Sequence, residues 1–327
     1  MLVMRASQMQ AFEKIAVQRF EEGLLDHVHT FFPEHAAALG ETALRRVLRY
    51  GLQRAESRGL RGERGVYLYL ALMFLLGSGF EDDPQLRVLP VLQTAPVPAE
   101  PQVQAAAETG NSTASASLST SSLSTSSGPA PAVAESGLET PDQRIEIIYG
   151  QASALLDRIA GPEQMPLPPM LNVWRQPQVY EGLSGPSIGH RLLLLLQMLA
   201  PEKYRALGEE ALRGLVRLGY ENARRQGLST EPGLMHYVAL MFMLGSGFDR
   251  DPLYPWAAAV LGDPALQDAA QKGAALREAA LAFLGRCLPA QPRRAAQSAA
   301  ALVRSDQSYR RIIEAASSPA RLPQAPL

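Results

Sequence analysis

Aromatic side chains make up only 6% of the 327 residues, cysteine occurs once, and no apolar run approaches the length of a membrane span. Each scarcity excludes something. The lone Cys287 cannot close an internal disulfide, and the N-terminal MLVMRASQMQAFEKIAV carries no apolar stretch of signal-peptide length, so a reducing cytoplasm is the expected setting. The longest apolar runs, Val66 to Leu76 and Leu192 to Leu196, are about half or less of the roughly 20 residues that a spanning helix needs, so no membrane partner is expected. Charge of one sign is missing too: 31 Lys+Arg against 32 Asp+Glu leave a formal charge of -1, which gives no basic footprint for general nucleic-acid binding. Also absent are a P-loop, a His-Glu-x-x-His pair and a Cys-containing ligand set, so no catalytic residue, cofactor or metal is assigned from sequence.

What is present is an apolar fraction of 46%, enough for packed cores, and 25 prolines and 26 glycines that mark loops and linkers. At about 150 residues per domain the length suggests two domains. Shifting the chain against itself by 168 residues aligns Pro33 to Pro84 with Pro201 to Pro252 without a gap, and 28 of the 52 positions are identical. Such a repeat is too long and occurs too few times for a solenoid. The segment Leu92 to Thr140 has no Lys, Arg or aromatic residue and cannot bury enough surface to offset the entropy of ordering it. The organisation expected is therefore a helical domain over 1–91, a disordered linker rich in Ser, Thr, Ala and Pro over 92–140, a second helical domain over 141–288 and a mildly basic tail over 289–327. Within the second, the Pro-rich loop 161–189 carries Trp174 and Tyr180 and is expected to lie on the surface.

Periodicity places each repeat in the all-α class. Leu44, Val47, Leu48, Gly51, Leu52 and Ala55 form one apolar stripe, repeated by Leu212, Leu215, Val216, Gly219, Tyr220 and Ala223. Glycine in mid-stripe costs about 1 kcal/mol relative to alanine, which predicts a tight helix crossing at Gly51 and Gly219. Gly59 and Gly227 are left-handed C-cap candidates. Ser229-Thr230-Glu231-Pro232 predicts a hydroxyl-capped helix start, and the body Leu234 to Leu244 is apolar all round, as its counterpart Val66 to Leu76 is. Further helices are expected at Ser7 to His29, Asp142 to Ile159, His190 to Leu199, Pro264 to Leu288 and Gln307 to Ala316; no period-two stretch predicts a strand.

Chemistry-bearing residues mostly read as scaffold. Gly77-Ser78-Gly79 and Gly245-Ser246-Gly247 follow helix C-termini, where the dipole is negative, so they read as caps and turns and not phosphate cradles. Glu63 and Glu231 fall in first helical turns, and Asp83 and Asp251 precede prolines as N-caps. His27, His29 and His35 lack a ligand pattern, His236 replaces Leu68 of the first repeat, and Cys287 lies near a helix end where no thiolate is favoured. Trp174, Tyr180, Tyr254 and Trp256 differ: they lie in proline-containing segments and are the candidate partner-binding residues.

The pattern ALGE-x-AL at Ala38 to Leu44, G-x-x-x-A-x-x-x-GL at Gly51 to Leu60, E-x-G at Glu63 to Gly65 and LMF-x-LGSGF-x-x-DP at Leu72 to Pro84 resembles a bacterial helical family associated with type VI secretion loci, next to spike-tip PAAR proteins or effectors. The second repeat matches the same pattern and adds Pro255-Trp256, which the first lacks. The resemblance implies an accessory, adaptor, chaperone or immunity-like protein whose partner is a secretion spike or effector component. The sequence reading is thus a non-enzymatic protein-protein interaction module. Two alternatives stand beside it: an enzyme or toxin whose carboxylates or His236 converge only in three dimensions, and a DNA-binding regulator using Arg45, Arg46, Arg49 and Arg54.

Overall fold

A computed structural model describes residues 20–93, 140–161 and 166–288. Among the described residues the chain is all-helical, with no strand. The expected helix start over 7–19, the linker over 94–139 and the tail beyond 288, with its helix at Gln307 to Ala316, lie outside the described residues.

The first repeat and its flanks form α1 (residues 20–31), α2 (Pro33–Leu39), α3 (Glu41–Ser57), α4 (Glu63–Leu76), 3-10 turns at Phe80–Asp82 and Pro84–Val88, and α5 (Pro90–Gln93). Then come α6 (Pro141–Ala160), α7 (Leu167–Trp174), α8 (Gln178–Glu181) and α9 (Ile188–Leu199). The second repeat contributes α10 (Pro201–Leu207), α11 (Glu209–Arg225) and α12 (Glu231–Leu244), followed by a 3-10 turn at Phe248–Arg250, α13 (Pro255–Leu261) and α14 (Ala269–Arg286).

Local sequence accounts for the element boundaries. Thr140 forms a capping box with Gln143 at the start of α6, and the Thr230 hydroxyl accepts the Gly233 N–H at 3.3 Å at the start of α12. The two mid-helix glycines mark close crossings as expected: a Cβ on Gly51 would lie 2.3 Å from Leu70 Cδ2 of α4, and one on Gly219 would lie 2.7 Å from Val238 Cγ2 of α12. The α12 helix is buried from Gly233 to Leu244, the central position that its all-round apolar pattern requires.

The LGSGF-x-x-DP motif does more than cap its own turn. Asp83 Oδ1 accepts from Gln85 N at 2.9 Å while its Oδ2 accepts the Ser246 N–H of the second repeat at 2.8 Å. Asp251 does the converse, taking Leu253 N at 2.9 Å on one oxygen and Ser78 N of the first repeat at 2.7 Å on the other. The exchange is reciprocal, because Ser78 and Ser246, like Asp83 and Asp251, are 168 positions apart. It brings the C-termini of α4 and α12 together. Gly77 and Gly245 have φ of 96° and 105°, and a Cβ on either would stand 2.6 Å from Leu244 O or 2.9 Å from Leu76 O, so glycine is required for both backbone conformation and approach. One continuous cluster of buried side chains runs through both repeats.

Flanking helices follow the same arrangement. The sequence assigns α6 to the second repeat; in the fold it packs on α4 of the first and on α10 of the second. Its N-terminus abuts Gly65, as the N-terminal part of α14 abuts the corresponding Gly233 on α12. Each repeat also ties a buried tyrosine to an acid twelve residues on: Tyr69 O–H donates to Glu81 at 3.1 Å, and Tyr237 O–H to Asp249 at 2.9 Å.

Candidate functional site

Several concavities hold titratable groups; one of about 190 Å³ contains the Arg58–Glu81 ion pair, and two others, a smaller and a larger, bear on function. The smaller lies between the repeats and is bounded by His35, Asp83, Gln85, Lys203 and Tyr254 among apolar side chains of α4, α6, α7 and α12. Burial pushes the Asp83 and Asp251 carboxyls upward, against the N–H groups donated to them, and takes the His35 imidazole down to about 4. Burial also draws the Lys203 amine down to about 8, with Asp83 opposing. Lys203 Nζ donates to Phe242 O and lies 4.6 Å from the centroid of the Phe242 ring. The cavity is about 70 Å³, room for a few waters but small beside the several hundred Å³ of an ordinary ligand site. Of its polar groups, Asp83 and Gln85 reach across to the second repeat, at Ser246 N and Met241 O.

The larger is a groove of about 600 Å³ on the second repeat, walled by Pro177, Tyr180, Leu183, Pro232 and Met235, with His236 and Arg277 among its lining and Glu231 at its edge. Its wall comes from the Pro-rich segment. Prolines in the first turn start α7, and Met170, Leu171 and Trp174, at helical spacing, turn inward and anchor it. Trp174 is completely buried. Its ring meets His236 edge-on with centroids 5.9 Å apart, and the Arg277 guanidinium lies 5.7 Å from its centroid. Tyr180 stands on the other side of His236, ring centroids 5.3 Å apart, with its hydroxyl 3.2 Å from Nδ1.

Burial, assisted by the Arg277 charge, lowers His236 to about 4, and burial raises the Tyr180 phenol to about 12 against the pull of Arg277. At neutral pH both are uncharged, so the assignment that satisfies the contact has Tyr180 donating to an unprotonated Nδ1. Arg277 donates through NH2 to Arg175 O at 3.1 Å and Trp174 O at 3.3 Å, closing the C-terminus of α7 where cations are favoured. Its Nε is buried without a partner, as is Trp174 Nε1. Arg191 pairs bidentately with Glu231 at 2.6 and 2.9 Å and also donates to Gly185 O at 2.9 Å, pinning the loop after α8 to the start of α12.

The four aromatic candidates fall in two places: Trp174 and Tyr180 flank His236, whereas Tyr254 and Trp256 adjoin each other, ring centroids 6.4 Å apart. Only Tyr180 lines the groove. Of the partner-binding candidates, Trp174 and Tyr254 are buried, at 0% and 4% exposure. Helical periodicity within LPPMLNVW turns Trp174 inward, and Tyr254 and Trp256 pack against Phe283 of α14, each at 6.3 Å. Glu63 and Glu231 stand in the first turns of α4 and α12, as expected. Cys287 is a buried C-cap whose thiol burial pushes up to about 12. Sequence reasoning missed Arg277. The available signal was its place four residues after Gly273 and three before Ala280, both buried, which sets a cation at the edge of the packed face of α14.

Among the described residues, no three His, Cys, Asp or Glu side chains gather as a metal site, and no helix is long and apolar enough to cross a membrane. No protein-family model, curated protein or solved structure matches this chain.

Proposed function

We propose that the chain is a non-enzymatic adaptor or chaperone, a duplicated helical module whose two copies dock on each other and whose second copy receives a partner protein. The observation that carries this reading is the groove of about 600 Å³ walled by proline, leucine, methionine and tyrosine side chains, an apolar surface with few convergent polar groups. The resemblance of the repeats to the type VI-associated family supplies the partner class, a spike or effector component in the cytoplasm. In support, the acids that an enzyme would draw together are spent elsewhere: Asp83 and Asp251 on backbone N–H groups, Glu231 on Arg191. Of the arginines that a DNA reader would use, Arg45 pairs with Glu41 at 2.7 Å and Arg54 with Glu81 at 2.9 Å.

The test is capture of a partner from the native host by the full chain and by Leu183→Asp, which places a charge on a partly exposed groove wall. Loss of the captured protein from a variant whose circular dichroism is unchanged is the expected result; undiminished capture overturns the reading.

A further inference from the structure

The groove has a charge that no carboxylate among the described residues pairs with. Its lining contains one acidic and one basic side chain, Glu231 and Arg277. Glu231 is neutralised by Arg191 in a two-bonded pair. Arg277 has no carboxylate within ion-pair distance among the described residues; it donates to two main-chain carbonyls and acts on the Tyr180 hydroxyl, and its Nε is buried and unpartnered. The guanidinium is half-buried, set beside the apolar groove wall and near the Trp174 ring, so water screens it less than it would a fully exposed cation. His236 adds no charge, being neutral between Trp174 and Tyr180.

We infer that the groove takes a partner segment carrying one carboxylate side chain between apolar residues, with Arg277 as the counter-ion and Pro177, Leu183, Pro232 and Met235 as the apolar seat. The inference rests on the adaptor reading and adds the chemistry of the bound segment. Charge matching selects the ligand: one uncompensated cation balances a monoanion, whereas a phosphate dianion would meet a single guanidinium with Glu231 at the edge of the same groove. The planar fork of arginine suits a carboxylate, and the apolar walls favour a leucine-like flank over a charged one.

The test is fluorescence polarisation on the full chain with two labelled peptides, Gly-Leu-Leu-Glu-Leu-Gly and its Gln counterpart, both amidated, with hexanoate as a free-acid competitor. The Glu peptide is expected to bind at least about tenfold more tightly than the Gln peptide, and that ratio is expected to fall to within about twofold in Arg277→Gln. Because the ligand-side exchange uses the unaltered protein, the result stands even if Arg277→Gln folds poorly. Equal affinity for both peptides overturns the inference while leaving the adaptor reading intact; that reading falls instead on undiminished capture by Leu183→Asp. Absence of peptide binding, or binding of hexanoate alone, also overturns the inference.

Discussion

Replacing Asp251 by alanine removes the acceptor of two buried donors, one in each repeat. The Leu253 N–H at 2.9 Å is local, whereas the Ser78 N–H at 2.7 Å belongs to the first repeat. Ser78 is 3% exposed, so water cannot take the place of the carboxylate. Leaving a buried donor unmatched costs about 1–3 kcal/mol, which for two donors gives about 2–6 kcal/mol. Against this stands the relief of no longer burying a carboxylate, whose desolvation raises its pKa. The net expected loss is about 3 kcal/mol. Urea unfolding gives the magnitude, and amide hydrogen exchange gives its location. Protection should fall at Ser78, 173 residues away in sequence, as well as at Leu253. Asp83→Ala should act in the opposite direction, exposing Ser246. A loss below about 1 kcal/mol, or loss of protection confined to Leu253, would refute the reciprocal dock.

Three further outcomes follow from the packing. Gly51→Ala and Gly219→Ala each gain about 1 kcal/mol of helix propensity and lose about 1–3 kcal/mol to overpacking, so both should destabilise in urea. Gly219→Ala should cost at least as much, because Val238 is β-branched and cannot swing away as Leu70 can, although the contact at Gly51 is nominally closer. Trp174→Ala should cost about 3–5 kcal/mol, the price of emptying a fully buried indole site, so lost partner capture in that variant would report unfolding; calorimetry with and without the substitution decides. Acid should weaken the fold through His35 and His236, each lowered from 6.5 to about 4. The unfolded chain binds protons there that the folded form refuses, so stability is full above pH 6.5, declines as pH falls towards 4 and levels off below it. Near pH 4.5 that amounts to about 2–3 kcal/mol per histidine. His236→Leu, the residue the first repeat has at Leu68, should remove its share; an unchanged acid slope in urea midpoints would contradict the assignment.

Much of the fold was legible because its signals are local. The stripe through Gly219, the Thr230 cap and the left-handed glycines at Gly59 and Gly227, with φ of 76° and 81°, each follow from a few neighbouring residues. The aspartates were only half legible. Their bonds to Gln85 N and Leu253 N could be read from Asp-Pro, whereas the second oxygen reaches a residue more than 160 positions away, for which there is no local signature. The identity of the repeats around Gly-Ser-Gly-Phe therefore reads as capping in sequence, and the mutual contact explains it more fully. Proximity in sequence likewise assigned α6 to the second repeat, although the apolar face carrying Ile145 and Ile148 also packs on α4. The groove was legible in part through Tyr180, Glu231 and His236, though not as one site. Proline content signalled a surface loop, but the spacing of Met170, Leu171 and Trp174 turns that segment inward. Arg277 comes from a helix about a hundred residues later.

The mutual docking of the two repeats is tested most directly by cutting the chain between them. A protease site placed near Ser121 in the full-length protein and cleaved under native conditions would separate α1 to α5 from α6 to α14. The two pieces are expected to elute together on size exclusion and to dissociate only when the fold is lost in urea. Pieces that elute separately, each retaining its helical signal, would contradict it.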